Sequence, residues 1–351
     1  MKNELRTYVD EGTGYVIRQY TAGPEKNTKL YFTTENFTVD DQYFFFNKEV
    51  GEKKNELYRA HVESGDYELM ADSSYTGFAM DRFENYGVMT KGDVVCRLDC
   101  DDKTITEIGA LPKGGRITGH LTTSKDGTIV CSYKLESCIY ALVVMDPVTG
   151  KSEVVFRSDY TLGHTQVCPT DSNLIFFIHE TGGDALQRMW MFDRRSGAAR
   201  PYYVEQEGEW ITHEVWTADG ENMIFMKLPH HVMMGSKDGH QFAPVACGEQ
   251  LLHPGVSRDK KWFCADRISY WGNESPNQVY LIQGETGAMK VLANTGTPKD
   301  GGHHLHPSFN RKGDQILFNR PVDGANAQVC LIDLKQVDLF EKSGKQDGTC
   351  V

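Results

Sequence analysis

Short apolar stretches alternate with polar turns along the whole chain, and one template recurs. A short strand leads into a polar turn, and a strongly apolar strand of alternating pattern follows that turn. Seven copies can be recognised, with turn anchors at Asp41, Glu84, Asp126, Asp171, Asp219, Asp259 and Gly313. The anchors lie 40 to 54 residues apart, and most copies continue into a third strand with its own turn signal. This rhythm predicts four short antiparallel strands per repeat, which is typical of a β-propeller.

The fold class predicted is therefore all-β, a seven-bladed β-propeller formed by residues 1–341 as one domain. The last copy has a weak fourth strand, and the run at residues 14–20 has no hairpin partner of its own. Pairing that N-terminal run into the last blade would close the ring and remove two free strand edges. Residues 228–248, rich in His, Met and Gly, are interpreted as an elaborated loop near the site. Residues 342–351 are expected to be a frayed tail.

The composition agrees with a strand-rich fold and limits the kinds of partner that the protein can bind. The 351 residues include 11% aromatics and 34 glycines, and 49 acidic residues against 37 basic ones give a net charge of -12. An acidic surface argues against nucleic acid as a partner, although a locally positive site can still take a small anionic substrate. No apolar run is long enough for a membrane span. The nine cysteines form no Cys-x-x-Cys pair, which favours a reduced, cytoplasmic protein. The oligomeric state stays open.

Histidines occur in register with the repeats. Six or seven residues before the turn anchor, each of the last five copies has one: His120, His164, His213, His253 and His306. Equivalent positions on the inner strands lie at the same height around the central channel, and His304 shares the face of His306. A single inner-strand histidine is more often a core residue. Several imidazoles in one cavity, however, repel one another when charged and leave polar nitrogens without a partner when neutral. The set therefore predicts a bound divalent cation or an anion.

Five segments of the second half of the chain carry a family resemblance. They are Leu162-Gly163-His164, Phe177-Ile178-His179-Glu180, Arg188-Met189-Trp190, Thr212-His213-Glu214-Val215-Trp216 and His304-Leu305-His306-Pro307-Ser308-Phe309. These segments resemble the oligogalacturonate lyases, seven-bladed propeller enzymes of bacterial pectin breakdown. Their order and approximate spacing fit that family over roughly the whole propeller, most densely from residue 160 to 320.

The resemblance implies a divalent cation, typically manganese. Its ligands in this chain would be His213, His304 and His306. The family's fourth ligand, a Gln, falls on Gly301, which has no side chain to offer. His303 would replace it if a bulge turned that residue inward. The metal's identity and the fourth ligand stay open, because imidazole-rich sites suit several transition metals.

The activity implied is β-elimination on short oligogalacturonides or related uronate oligosaccharides, giving 4,5-unsaturated products. A cation on the sugar carboxylate would stabilise the charge that develops when the C5 proton leaves. His164 is the predicted base, with His179 and Arg188 as further catalytic candidates. Arg188 would clamp a substrate carboxylate or form a structural ion pair. His120 and His253 would contact the substrate or support the ligands. The alternatives are a lyase for another uronic acid and a non-catalytic propeller that binds protein or sugar.

Overall fold

The protein is a ring of seven antiparallel sheets. The computed structural model describes residues 2–136, 138–181, 185–248, 250–268, 276–296, 304–322 and 326–338. Within these ranges, thirty-one strands form seven sheets of four or five strands, and a 3₁₀ turn at Leu334–Gln336 follows the last strand. The seven-bladed all-β propeller predicted from the sequence is confirmed. None of the described segments is a helix with the length and hydrophobicity needed to cross a membrane.

Each blade runs from a short strand at the channel to an outer edge strand. From the channel outward, blade 1 consists of Asn27–Lys29, Tyr43–Gly51, Lys54–His61, Asp66–Ala71 and Lys2–Asn3. Blade 2 consists of Thr76–Met80, Tyr86–Lys91, Val94–Asp99 and Ile105–Ala110. In blade 3 the inner pieces Arg116–Ile117 and Thr122–Thr123 both pair with Ile129–Glu136, and Ile139–Met145 and Ser152–Ser158 follow. Blade 4 consists of Leu162–Cys168, Asp171–His179, Met189–Asp193 and Ala198–Pro201.

The remaining three blades repeat this order. Blade 5 consists of Trp210–Trp216, Asn222–Leu228, His231–Ser236 and Phe242–Cys247. Blade 6 consists of Gly255–Val256, Trp262–Arg267, Gln278–Gln283 and Met289–Asn294. Blade 7 consists of Ser308–Phe309, Gln315–Pro321, Ala327–Asp333, Val16–Gln19 and Arg6–Val9.

The N-terminal segment closes the ring, as the sequence predicted. Val16–Gln19 pairs with Ala327–Asp333, so that the fully buried Ile17 lies opposite Ile332. The expectation that this strand has no hairpin partner is wrong, because Arg6–Val9 pairs with it. That partner is largely exposed, so it lacks the apolar alternation by which a strand is recognised in sequence. The expected frayed tail at 342–351 lies outside the described residues.

Residues 228–248 are not an elaborated loop. They form the third and fourth strands of blade 5, with Met234 opposite Ala243 in a regular antiparallel ladder. One of the glycines that suggested a loop, Gly235, is a packing position, since a Cβ there would lie 2.5 Å from the ring of Phe242. This glycine allows close packing between strands and was mistaken for a turn residue.

In four blades, the turns between the first two strands share a hydrogen bond. A Ser or Thr hydroxyl two residues before an Asp donates to that carboxylate and closes the turn locally. The pairs are Thr38 with Asp40, Ser124 with Asp126, Thr217 with Asp219 and Ser257 with Asp259. The recurring Asp in the sequence template is therefore the residue that stabilises the turn.

The hydrophobic core lies between neighbouring blades. Phe176 of blade 4 and Trp216 and Phe225 of blade 5 belong to one buried cluster, and similar clusters join the other blades. Among the residues that the structure describes, seven cysteines are free thiols, and six of these are buried as small apolar groups.

Candidate active site

Three of the predicted histidines have a left-handed backbone conformation. The φ angles of His164, His213 and His306 are 44°, 57° and 47°. In blades 4 and 5 the strand ladder is interrupted at this point, because two residues of the inner strand face one residue of its neighbour. A bulge of this kind redirects a side chain, and left-handed non-glycine residues are rare outside constrained sites. The bulges in blades 4 and 5 thus place the imidazoles of these successive blades in the channel.

His253, His304 and His306 form a close group of three imidazoles. One ligand nitrogen from each lies within 4.8 Å of the other two, and Nδ1 of His304 lies 3.0 Å from Nε2 of His253. The ring centres of His253 and His306 are 4.2 Å apart. Two nitrogens at right angles, each about 2.1 Å from one cation, lie about 3 Å apart. The 3.0 Å between the His253 and His304 nitrogens therefore fits two ligands of one transition-metal ion.

Asp266 supports this group from behind. Both of its oxygens lie 2.8 Å from Nδ1 of His253, and it accepts the backbone N–H groups of His253, Leu305 and His306 at 2.9 to 3.0 Å. Burial alone would raise the pKa of Asp266, but the charge and hydrogen bonds of His253 lower it. An ionised carboxylate accepts a proton-bearing nitrogen, which assigns the hydrogen to Nδ1 and leaves the lone pair of Nε2 of His253 directed at the close group.

His213 lies against this group. Its ring centre is 4.1 Å from that of His253, and its Nδ1 is buried without a hydrogen-bond partner among the described residues. Nε2 of His306 is buried in the same unpaired state. Burial and the neighbouring imidazoles hold the pKa of both rings well below the ordinary value, so both are neutral. A buried, neutral and unpaired nitrogen such as that of His306 suits a cation, so the close group fits the metal that the resemblance implies.

The close group differs from the predicted ligand set in one member. His304 and His306 belong to it, but the third imidazole is His253, which the sequence analysis had placed as a substrate contact or support. His213 is a neighbour of the group rather than one of its three members. His303 and Gly301, on which the fourth-ligand prediction depended, lie outside the described residues.

His164 is held by a buried ion pair. Its Nδ1 lies 2.7 Å from Oε2 of Glu214, whose other oxygen accepts from Nε of Arg188 at 3.0 Å. Glu214 is fully buried; burial alone would raise its pKa, but the Arg188 charge and the His164 hydrogen bond lower it to about 2. Arg188 is itself 5% exposed and lies 3.6 Å from Glu180. Arg188 therefore forms an ion pair, which is one of its two predicted roles, and its catalytic role stays a prediction.

His120 and His179 lie apart from the close group. The His120 ring stacks on Tyr31 with centres 4.9 Å apart, and the edge of Tyr31 meets His306 at 5.0 Å. The protein that surrounds His120 partly desolvates its ring and so lowers its pKa, although the residue keeps an exposed surface towards the channel. His179 packs on Tyr160 at 4.2 Å, at the end of its strand in blade 4.

Sequence reasoning missed three residues of the site. Phe32 packs against His213, His253 and His306 with ring centres 5.4 to 6.0 Å apart, and no motif marks it. Glu214 stands inside the Thr212–Trp216 segment, directly after His213, so its acidic side chain was a usable signal. Asp266 ends an apolar strand and shows its role only once blades 6 and 7 are side by side.

Comparison with known proteins supports the resemblance found in the sequence. A family model described as oligogalacturonate lyase matches residues 122–243. An oligogalacturonide lyase of Pectobacterium atrosepticum is 28% identical over 212 residues, and an oligogalacturonate lyase of Dickeya dadantii is 29% identical over 214 residues. Each match covers 53% of this chain and 53% of the relative, so the chain spans about half the length of the curated relatives it matches.

Solved structures extend the similarity to the whole ring. The oligogalacturonate lyase of Vibrio parahaemolyticus superposes with a TM-score of 0.83 at 19% identity. An oligogalacturonate lyase in complex with manganese superposes with a TM-score of 0.85, also at 19% identity. Both alignments cover 95% of this chain and 97% of the other. The predicted resemblance to the oligogalacturonate lyases is thus confirmed, and the solved structures show that the fold is shared.

Proposed function

We propose that this protein is a metal-dependent lyase that cleaves short oligogalacturonides or related uronate oligosaccharides by β-elimination. The observation that carries the proposal is the close group of His253, His304 and His306, with the unpaired imidazole of His213 against it. The names of the similar proteins support an oligogalacturonate as the substrate class. The partner is then a small acidic oligosaccharide. The cytoplasmic location expected from the sequence stays a prediction.

His253, His304 and His306 would hold the cation, with Asp266 fixing the tautomer of His253 and the backbone of the other two. Manganese is supported by the similar lyase whose structure contains it. A bound divalent cation would neutralise the sugar carboxylate and stabilise the negative charge formed next to it when the C5 proton leaves.

His213 is the proposed base. It contacts the ligand group, and its Nδ1 has no competing partner among the described residues, so the ring is available to accept a proton. A sugar held at the close group by its carboxylate would present C5 next to this ring. Departure of the 4-oxygen, which takes up a proton, would then complete the elimination and leave a 4,5-unsaturated ring.

His164, the base predicted from the sequence, is proposed to orient the substrate instead. Glu214 and Arg188 lock its ring from one side, and its side chain is 22% exposed towards the channel. A rigid imidazole of this kind can hydrogen-bond a sugar oxygen beside the close group. The contrasting effects of replacing His164 and His213 separate the two assignments.

The test is to incubate the metal-loaded protein with digalacturonate or trigalacturonate and follow the ultraviolet absorbance of the unsaturated product. We expect product with the wild type and with His231→Ala, a matched histidine on an outer strand of blade 5. The His304→Ala variant should give none. Absence of unsaturated product from the wild type with manganese and the other first-row divalent cations would contradict the proposal.

A further inference from the structure

A cavity of about 240 Å³ opens beside the close group, between blades 1, 2 and 3. Tyr31, His120 and Gln166 line its channel side, and Asn47, Lys53 and Asn55 line it from blade 1. Tyr31 is the shared wall, because its ring also meets His306 at 5.0 Å. The cavity is smaller than the roughly 300–1,000 Å³ of pockets that enclose drug-sized ligands, which suits a single sugar ring.

The cavity exists because blade 2 has a glycine where blades 4 and 5 have histidines. The inner strand of blade 2 contains the same bulge, with Thr76 opposite Thr90 and Ala79 opposite Val88. Gly77 occupies the left-handed position of that bulge, with φ 70°, which corresponds to His164 and His213. A Cβ built on Gly77 would meet nothing within 4 Å. The ring of imidazoles is therefore interrupted here by open space.

The cavity walls carry no carboxylate. Asp and Glu are absent from the residues that line it, although the chain has 49 of them and a net charge of -12. Lys53 is exposed and forms no ion pair with any residue the structure describes. Arg82 donates to the backbone carbonyls of Thr33 and Trp216. The other polar groups are hydroxyls, amides and the His120 ring, so the walls suit an anionic, hydroxyl-rich ligand.

We propose that this cavity is a second sugar subsite, which binds the uronate unit next to the reacting one. The carboxylate of that unit would pair with Lys53, and its hydroxyls would bond to the amides of Asn47 and Asn55. The space left by Gly77 would take the ring. The identification of the ligand as a uronate rests on the proposed function. The shape and charge of the cavity are observed independently of that proposal.

The proposed pairing of Lys53 with the sugar carboxylate is tested with Lys53→Gln in calorimetric titrations of the full chain. All proteins in this test are loaded with manganese and carry His213→Ala, because that variant keeps the proposed metal ligands but lacks the proposed base, and the probes are galacturonate and digalacturonate. We expect this parent protein to bind the dimer more tightly than the monomer. Lys53→Gln should weaken dimer binding about fivefold and leave monomer binding unchanged, as expected for loss of one exposed charge pair. Lys151→Gln, an exposed lysine in a turn outside the cavity, is the matched control and should change neither affinity.

The space is tested with Gly77→Asn, because Asn tolerates the left-handed conformation and its side chain would enter the cavity. Gly92→Asn, at φ 59° in a hairpin of the same blade and also with open space around it, is the control. We expect Gly77→Asn alone to weaken dimer binding by at least tenfold. Equal affinity of the His213→Ala parent for monomer and dimer, or unchanged dimer affinity in both variants made on it, overturns the subsite. If dimer binding depends on Lys53 and Gly77 but no unsaturated product forms, the subsite stands and the lyase proposal fails.

Discussion

Nδ1 of His253 lies 2.8 Å from both carboxylate oxygens of Asp266, and neither side chain is exposed to solvent. The same carboxylate accepts the backbone N–H groups of Leu305 and His306 from the next blade. One buried charge therefore fixes a histidine ring of blade 6 and the chain that carries the histidines of blade 7. The relative position of the three imidazoles depends on it.

Asp266→Asn should weaken metal binding about 10- to 100-fold, because carboxylates that orient metal-ligating histidines contribute that much to affinity. Metal content after equilibrium dialysis measures the change. Asp159→Asn, on an exposed loop, is the control and should retain wild-type affinity. Unchanged affinity in Asp266→Asn would remove Asp266 from the metal centre.

Replacing the histidines one at a time separates ligands from base. His253→Ala, His304→Ala and His306→Ala should each lose most bound metal, since three imidazoles define the close group. His213→Ala should keep its metal and lose about 10²- to 10⁴-fold in turnover, the usual contribution of a positioned base. Metal analysis and the absorbance assay on the same preparations measure both.

Two outcomes would reverse these assignments. Loss of metal in His213→Ala would make His213 a ligand, as the resemblance implied. A fall in turnover of more than 10²-fold in His164→Ala, with His213→Ala still active, would make His164 the base.

Glu214→Gln should lower the free energy of unfolding by about 3 kcal/mol, because it leaves the charge of the 5% exposed Arg188 without its buried partner. Denaturant titration measures the change. Glu221→Gln, whose side chain is 62% exposed, should be nearly neutral. A loss below about 1 kcal/mol would show that Glu180 alone balances the charge of Arg188.

The stability that the contact between blades 3 and 4 contributes to the fold should depend on pH, because Asp126 in this contact titrates. Burial alone would raise its pKa, but hydrogen bonds from Ser124, Ser172 and Thr128 lower it to about 2 from the ordinary value of 3.8. A lowered pKa in the folded state stabilises the fold above pH 3.8, and this stabilisation is lost as the pH falls towards 2. Asp126→Asn should therefore be less stable than wild type at pH 6, with the difference narrowing between pH 4 and pH 2. Thermal unfolding across that range measures it, and a difference independent of pH would contradict the assignment.

Ring closure should depend on the N-terminal strand. Ile17→Ala should cost about 2–5 kcal/mol of unfolding free energy, as buried Ile-to-Ala changes do, because Ile17 is fully buried opposite Ile332. Val16→Ala, whose parent side chain is 40% exposed, should cost much less. Equal effects of the two substitutions would mean that the strand is not packed as described.

The sequence determined the architecture because a propeller is a local repeat. The Asp turns are closed by Ser or Thr two residues away, and each apolar strand pairs with its neighbours in the chain, so register and number of blades can be read along the sequence. Even the closure by residues 14–20 could be predicted, since pairing these residues with the last blade removes two unpaired strand edges. The outer strands of blade 5 were missed because Gly235 and the methionines there serve packing between strands, which the pattern of one strand does not show.

The site was only half determined in this way. The register of the histidines predicted that six imidazoles face one opening of the channel, because equivalent positions in successive blades converge, but it did not predict that His253 would join His304 and His306 in the close group. Which imidazoles come within ligand distance was decided by left-handed bulges and by Asp266, which acts across two blades. The pairing of His164 with Glu214, and the gap at Gly77, likewise arise between blades. Contacts between residues about 40 to 50 positions apart depend on backbone direction at single residues, and only the tertiary structure specifies that direction.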